Sequence, residues 1–226
     1  MFNIESYIEN LLGVLKDIFG ERLLYLGLQG SYLRNEQHEN SDIDIMVIID
    51  NLAPEDLGLY KNALLNVGDY EKSCGFITGK DELSNWNPLE IGNLIHTTKD
   101  IYGTLEKYIP VYTKEDGINF IKLSVCNIYH ELCHRYIHSD YKKNKDNLPD
   151  TLKPVFFILQ NLYFIEKEVF YNSKKELLKH LEGEDKEVFS MLLNIQNDSR
   201  FDFDTAFSLM FSWCKNTLAK LSSGNK

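Results

Sequence analysis

One stretch constrains this chain more than any other: Ser41-Asp42-Ile43-Asp44-Ile45-Met46-Val47-Ile48-Ile49. A β-branched apolar run of this kind reads as a strand, and strand side chains alternate faces. Asp42 and Asp44 therefore project to one side, while Ile43, Ile45, Val47 and Ile49 point to the other. Two carboxylates converge at one strand end.

The surrounding pattern supplies the rest of a mixed first half. Ile4, Ile8, Leu11, Leu12, Leu15 and Ile18 recur at helical spacing, and Gly20 is placed to stop the helix. Arg22 to Leu28 reads as a strand, and polar Arg34 to Ser41 separates it from the strand at Asp42 to Ile49. Pro54 opens a helix to about Val67, and a third strand is expected around Glu71 to Thr78. From Asp81 to Pro110 the signal mixes a short helix at Asp81 to Trp86 with extended pieces such as Leu94 to Thr97. Beyond Lys114 the pattern is helical, at Ile118 to His138, Leu152 to Tyr171, Lys174 to Leu181, Glu184 to Gln196 and Phe203 to Leu221. Loops are expected at Lys142 to Pro149 and Asn197 to Arg200. The fold class read from this is α+β: a mixed sheet with flanking helices over residues 1–113, then a helical bundle over 114–226.

Upstream of the acids stands Leu28-Gln29-Gly30-Ser31-Tyr32-Leu33-Arg34, a strand end followed by a Gly-Ser turn. Gly30 allows close approach of backbone to a phosphate, and Ser31 offers a hydroxyl and an N–H in a turn that can open a helix. Carboxylates are the hard ligands Mg²⁺ prefers, with water and substrate phosphates completing its shell. Gly30-Ser31, ten residues, then Asp42-Ile43-Asp44 leading a hydrophobic strand resembles the signature of the DNA polymerase beta-like nucleotidyltransferase superfamily. The helical second half resembles the layout of its antibiotic-modifying members. Cys74-Gly75-Phe76, Asn85-Trp86 and Cys126-Asn127-Ile128-Tyr129-His130 are similar to bacterial nucleotidyltransferase-domain proteins without a settled substrate.

The resemblance implies roles. Asp42 and Asp44 would bind Mg²⁺, and Gly30, Ser31 and Arg34 would hold the phosphates of a nucleoside triphosphate, ATP by preference. The site would lie in a cleft between the two domains. Where many members have glycine this chain has Asn35, which tolerates left-handed backbone. The family's third carboxylate, on a following strand, falls at Cys74, and the nearest acid is Glu71, three residues earlier and on the opposite face of a regular strand. Glu71 would serve only through a bulge or register change. Haloacid-dehalogenase phosphatases and sugar-nucleotide glycosyltransferases also carry Asp-x-Asp, but theirs follows a hydrophobic strand, whereas here the acids precede it. The plainer alternative is that the two acids only cap a strand.

Further along, Asn127, His130, Glu131, His134 and His138 form one polar stripe, the mark of a solvated helix face. If it lines the cleft, Glu131, His130 or His134 would take a proton from an acceptor hydroxyl. Cys126, His130, Cys133 and His134 cannot readily surround a tetrahedral zinc from one helix. Arg135 and His138 are too close for the Arg-x(4 to 6)-His pattern of helical ribonucleases. Trp86, Tyr102, Tyr108 and Tyr112 are aromatic enough to stack a base, yet read mainly as core.

Charge narrows the partner. Residues 1–113 hold 18 acids and 8 bases, a net −10, while residues 114–226 hold 16 of each. An acidic half repels nucleic acid and favours a small cationic acceptor, such as an aminoglycoside- or lincosamide-type antibiotic. The four cysteines form no CxxC pair, the first residues do not read as a signal peptide, and no apolar run spans a membrane, so a cytoplasmic protein is expected. A homodimer is compatible with the sequence. The other readings are antitoxin-like adenylylation of a protein partner and a catalytically silent nucleotide-binding module.

Overall fold

In the computed structural model, which describes residues 2–197 and 200–223, the chain opens with helix α1 (Ile4–Phe19). Asn3 caps it by accepting from the N–H groups of Glu5 and Ser6, and Gly20, with φ +55°, ends it. Strand β1 (Leu23–Leu28), the short helix α2 (Gly30–Arg34), strand β2 (Ile43–Ile49) and helix α3 (Pro54–Val67) follow. Strand β3 (Ser73–Gly79), helices α4 (Lys80–Ser84) and α5 (Pro88–Thr97), and strand β4 (Lys99–Tyr102) complete the sheet region.

The sheet runs β3-β2-β1-β4, with β2 and β3 parallel and the other pairs antiparallel. Ile43, Ile45, Val47 and Ile49 of β2 share one buried cluster with Leu11 and Leu15 of α1 and Ala63 of α3. Met46 and Ile48 belong to the opposite face, packed with Tyr25, Leu83 and Leu105. Each face of β2 is thus sealed except where Asp44 interrupts the apolar alternation.

Two expectations for this region need correction. The third strand begins at Ser73, not Glu71; Glu71 sits in a 3-10 turn, Tyr70–Lys72, that precedes it. Leu94 to Thr97 is helical, because Asn87 caps α5, Pro88 starts it, and Ile91 is buried beneath it. The strand there is β4, four residues at the sheet edge and too short for alternation to show.

The structure divides into two compact units, Met1–Val111 and Tyr112–Lys226. The second holds α6 (Lys114–His138), α7 (Tyr141–Thr151), α8 (Val155–Lys167), α9 (Lys174–His180), α10 (Gly183–Asn197) and α11 (Phe203–Ser223) around a cluster that includes Ile128, Leu159, Phe189 and Trp213. The loop expected at Lys142 to Pro149 is helix α7: Asp140 caps it, accepting from the Lys143 N–H at 2.9 Å, and Asn144, Leu148 and Thr151 form its buried face. Pro149 lies in the last turn, where its missing N–H removes one helical hydrogen bond. The loop expected at Asn197 to Arg200 falls on residues 198 and 199, which lie outside the described residues.

Arg22 ties the start of β1 to the start of α3. Its Nε donates to the Asp50 carbonyl at 3.1 Å, and its guanidinium pairs with Asp56, which also accepts from the Ala53 N–H at 2.8 Å. The Arg22 guanidinium and that backbone bond hold the Asp56 carboxyl below its ordinary 3.8. A lowered native value means the contribution is present above 3.8 and is lost as pH falls through the native value. Asp56→Ala is expected to lower Tm by several degrees at pH 7, with the gap to wild type closing in melts run at progressively lower acid pH.

Candidate functional site

The site grows from the end of β1. Gln29 donates its N–H to the Asp44 carbonyl at 2.9 Å, which pins the Gly-Ser turn against β2 before α2 begins. Gly30 adopts φ +67°, and a Cβ there would stand 1.8 Å from the Asp44 Oδ2. Only glycine fits that contact. Asn35 adopts the left-handed backbone that the sequence allows there, φ 56°, and closes α2, its N–H bonding back to Tyr32 at 3.4 Å. Buried Ser41 then closes the following turn, its Oγ accepting from the His38 N–H at 2.8 Å. That turn delivers Asp42, exposed, to the head of β2 beside half-buried Asp44.

Across the parallel pair, Asp44 is in register with Cys74, whose thiol donates to the Asp44 carboxylate. Burial is the main force pushing the Asp44 carboxyl up, and the like charge of Asp42 adds to it; the Cys74 bond and the Arg34 charge pull the other way. Burial also pushes the Cys74 thiol up, followed by the Asp44 charge. Arg34 pairs with Glu36 at 3.1 Å. Glu71, exposed in its turn before the strand, is not brought into the Asp44 row; Cys74 is.

Two oxygens, and not the thiol, form a donor set suited to Mg²⁺. A protonated thiol is a poor partner for a hard cation, while two carboxylates leave most of the shell to water and phosphate. Among the described residues no three His, Cys, Asp or Glu side chains form a metal-holding group.

The helical candidates belong to the second unit. Glu131 accepts from Arg135 Nε at 2.7 Å within α6 and from the Thr151 hydroxyl at 3.0 Å, the second bond fastening α6 to α7. His130 and His134 are exposed, with ring centroids 6.0 Å apart, and His134 lies 4.8 Å from His138. Trp86 packs edge-on against Phe76 and donates to Glu90 at 2.8 Å; Tyr108 packs on the same sheet face, Tyr102 lies under Lys16, and Tyr112 is half-buried in the second unit.

Sequence reasoning passed over a polar row beside the acids. Gln29 Nε2 donates to Thr98 Oγ1 at 2.7 Å, and the Tyr25 hydroxyl donates to Asp100 Oδ1 at 2.7 Å. Both partners belong to β4 or the residue before it. A reading that recognised β4 as a strand would have placed them.

Residues 8–118 match the family model described as the nucleotidyltransferase domain. The first half of the chain is thus a nucleotidyltransferase domain. The chain is a nucleotidyltransferase, and its fold agrees: the crystal structure of a spectinomycin adenyltransferase from Enterococcus faecialis, with ATP and spectinomycin, superposes with a TM-score of 0.59 at 12% identity, covering 96% of this chain and 100% of that one. A nucleotidyltransferase-like protein from Exiguobacterium sibiricum gives 0.43 at 10% identity, over 94% of this chain and 74% of that one. A toxin-antitoxin structure with AMP-PNP gives 0.34 at 20% identity, over 60% and 94%. No curated protein matches the nucleotidyltransferase.

The raised Asp44 carboxyl has a sign. Its charged form is disfavoured by the fold, so stability declines as pH rises from 3.8 through the native value. Asp44→Asn is therefore expected to melt higher than wild type at pH 7 without ligand, and to match it below pH 3.8, in calorimetric scans. Gly30→Ala is expected to weaken Mg²⁺–nucleotide binding by at least about tenfold, read by titration calorimetry, because its Cβ would displace the Asp44 carboxylate.

Proposed function

We propose that this nucleotidyltransferase transfers a nucleoside monophosphate from ATP to a hydroxyl of a small acceptor, with Asp42 and Asp44 holding Mg²⁺. The observation that carries the reading is the contact between Gly30 and Asp44, which sets a bare backbone turn directly against a half-buried carboxylate. The ion, when bound, neutralises charge on the triphosphate and on the departing pyrophosphate. Asp44, disfavoured as a lone anion, gains most from a cation. Ser31 and the backbone of the α2 turn approach the β and γ phosphates, and the Arg34 guanidinium adds positive charge beside them. The acceptor hydroxyl attacks the α-phosphorus, and pyrophosphate leaves.

Catalysis in such a site is positioning and charge neutralisation. The acidic first half supports a cationic acceptor, and the adenyltransferase fold supports an antibiotic-modifying role. A second reading, a nucleotide-binding module without turnover, is favoured by one observation: a thiol, Cys74, stands in register with Asp44 where a further carboxylate would assist.

Purified protein with Mg²⁺ and ATP is expected to release pyrophosphate when given an aminoglycoside or lincosamide from a panel, and Asp42→Ala and Asp44→Ala are each expected to reduce that rate at least about a hundredfold. ATP uptake in calorimetry without pyrophosphate from any acceptor would replace transfer by the binding-module reading.

A further inference from the structure

On the face of the sheet that carries Asp44, the antiparallel register extends the site across β1 to β4. Ile45 pairs with Leu28 and Leu28 with Lys99, so the row through Asp44 continues to Gln29 and Thr98. The next row on that face holds Met46, Gly27 and Asp100. Two strand spacings put Asp100 roughly 10 Å from β2. No atom of an ion held by Asp42 and Asp44 reaches that far, so Asp100 is not a ligand of the same metal.

Asp100 is nevertheless deliberately held. Tyr25 is fully buried, and its hydroxyl crosses above β1 to donate to Asp100 Oδ1 at 2.7 Å. Gly27 makes the crossing possible, since a Cβ there would lie 2.3 Å from the Tyr25 oxygen and 2.7 Å from Thr98 Cγ2. Satisfying a buried phenol requires only a neutral acceptor. A carboxylate does more: Asp100 is exposed and, among the described residues, joins no ion pair. It leaves a negative charge on the face of the sheet that carries Asp44, in a half of the chain already at −10. A triphosphate is repelled by such a charge and a cation is attracted.

We propose that Asp100, oriented by Tyr25, is an acceptor-recognition residue that takes a protonated amine of the molecule being modified. The proposal rests on the nucleotidyl-transfer reading for what lies beside it, and it adds the chemistry of the acceptor: an amine separated from the reacting hydroxyl by about one sugar ring or more. Tyr25 is a positioning residue, acting through Asp100.

The test is titration calorimetry of wild type, Asp100→Asn, Tyr25→Phe and the double variant, with two probes: the hydroxyl-rich polyamine neamine, and Mg²⁺ with the non-hydrolysable analogue AMPCPP. Asparagine still accepts from Tyr25, so the fold is kept, and thermal melts verify it. Asp100→Asn is expected to weaken neamine at least about tenfold and to leave AMPCPP within about twofold. Tyr25→Phe is expected to weaken neamine by a smaller factor, with no further loss when added to Asp100→Asn, a non-additivity that a purely structural tyrosine would not show. Absence of neamine binding by wild type, unchanged neamine binding in Asp100→Asn, or an equal loss of AMPCPP each overturns the proposal. Failure of the transfer reading appears separately, as wild type that takes up neamine but neither binds AMPCPP nor releases pyrophosphate from ATP.

Discussion

Burial of the four residues Ile43, Ile45, Val47 and Ile49 beneath α1 and α3 sets the register of the first unit. Strand period two leaves no freedom after that: once those side chains face the helices, Asp44 must face the other way. The hydrophobic effect on one face thus aims a charge on the opposite face. A slip of one residue would put Asp44 under α1, where an unpaired carboxylate is expensive, so the same pattern that builds the core guards the orientation of the site.

The acid is held there against its own solvation preference. Burial and the neighbouring Asp42 both disfavour the ionised Asp44, and what offsets them in the chain itself is the Cys74 thiol and the charge of Arg34. Gly30 closes off the alternative of moving away, because the turn backbone already touches Oδ2. Strain of this kind concentrates where ligands supply the missing interaction. The opposite solution appears at Asp56, where Arg22 satisfies the carboxylate completely and the result is a structural tie.

Legibility in the sequence followed the length and regularity of each pattern. The helix at Ile4, the strand at Ile43 and the helix at Pro54 repeat their period long enough to be read, and α1, β2 and α3 appear where they were expected. Asp42 and Asp44 were legible because alternation places them without knowledge of any neighbour. Cys74 was legible beside the acids only through the family resemblance, and the pairing of Asp100 with Gly27 depends on which strands lie side by side, which no local pattern encodes. Helix α7 was hidden because its exposed face is charged and Pro149 suggested a break, while the burial of Asn144, Leu148 and Thr151 that stabilises it is a tertiary effect.

The strand order also sets a sequence of events in time. Fourteen residues separate β1 from β2, whereas seventy separate β1 from Lys99–Tyr102, which satisfies its other edge. Contacts at such separation form late, since loop closure costs entropy before the pairing returns it. Arrival of β4 sets Thr98 against Gln29 and Asp100 against Tyr25, so the polar shelf beside the acids is the last part of this sheet to be made.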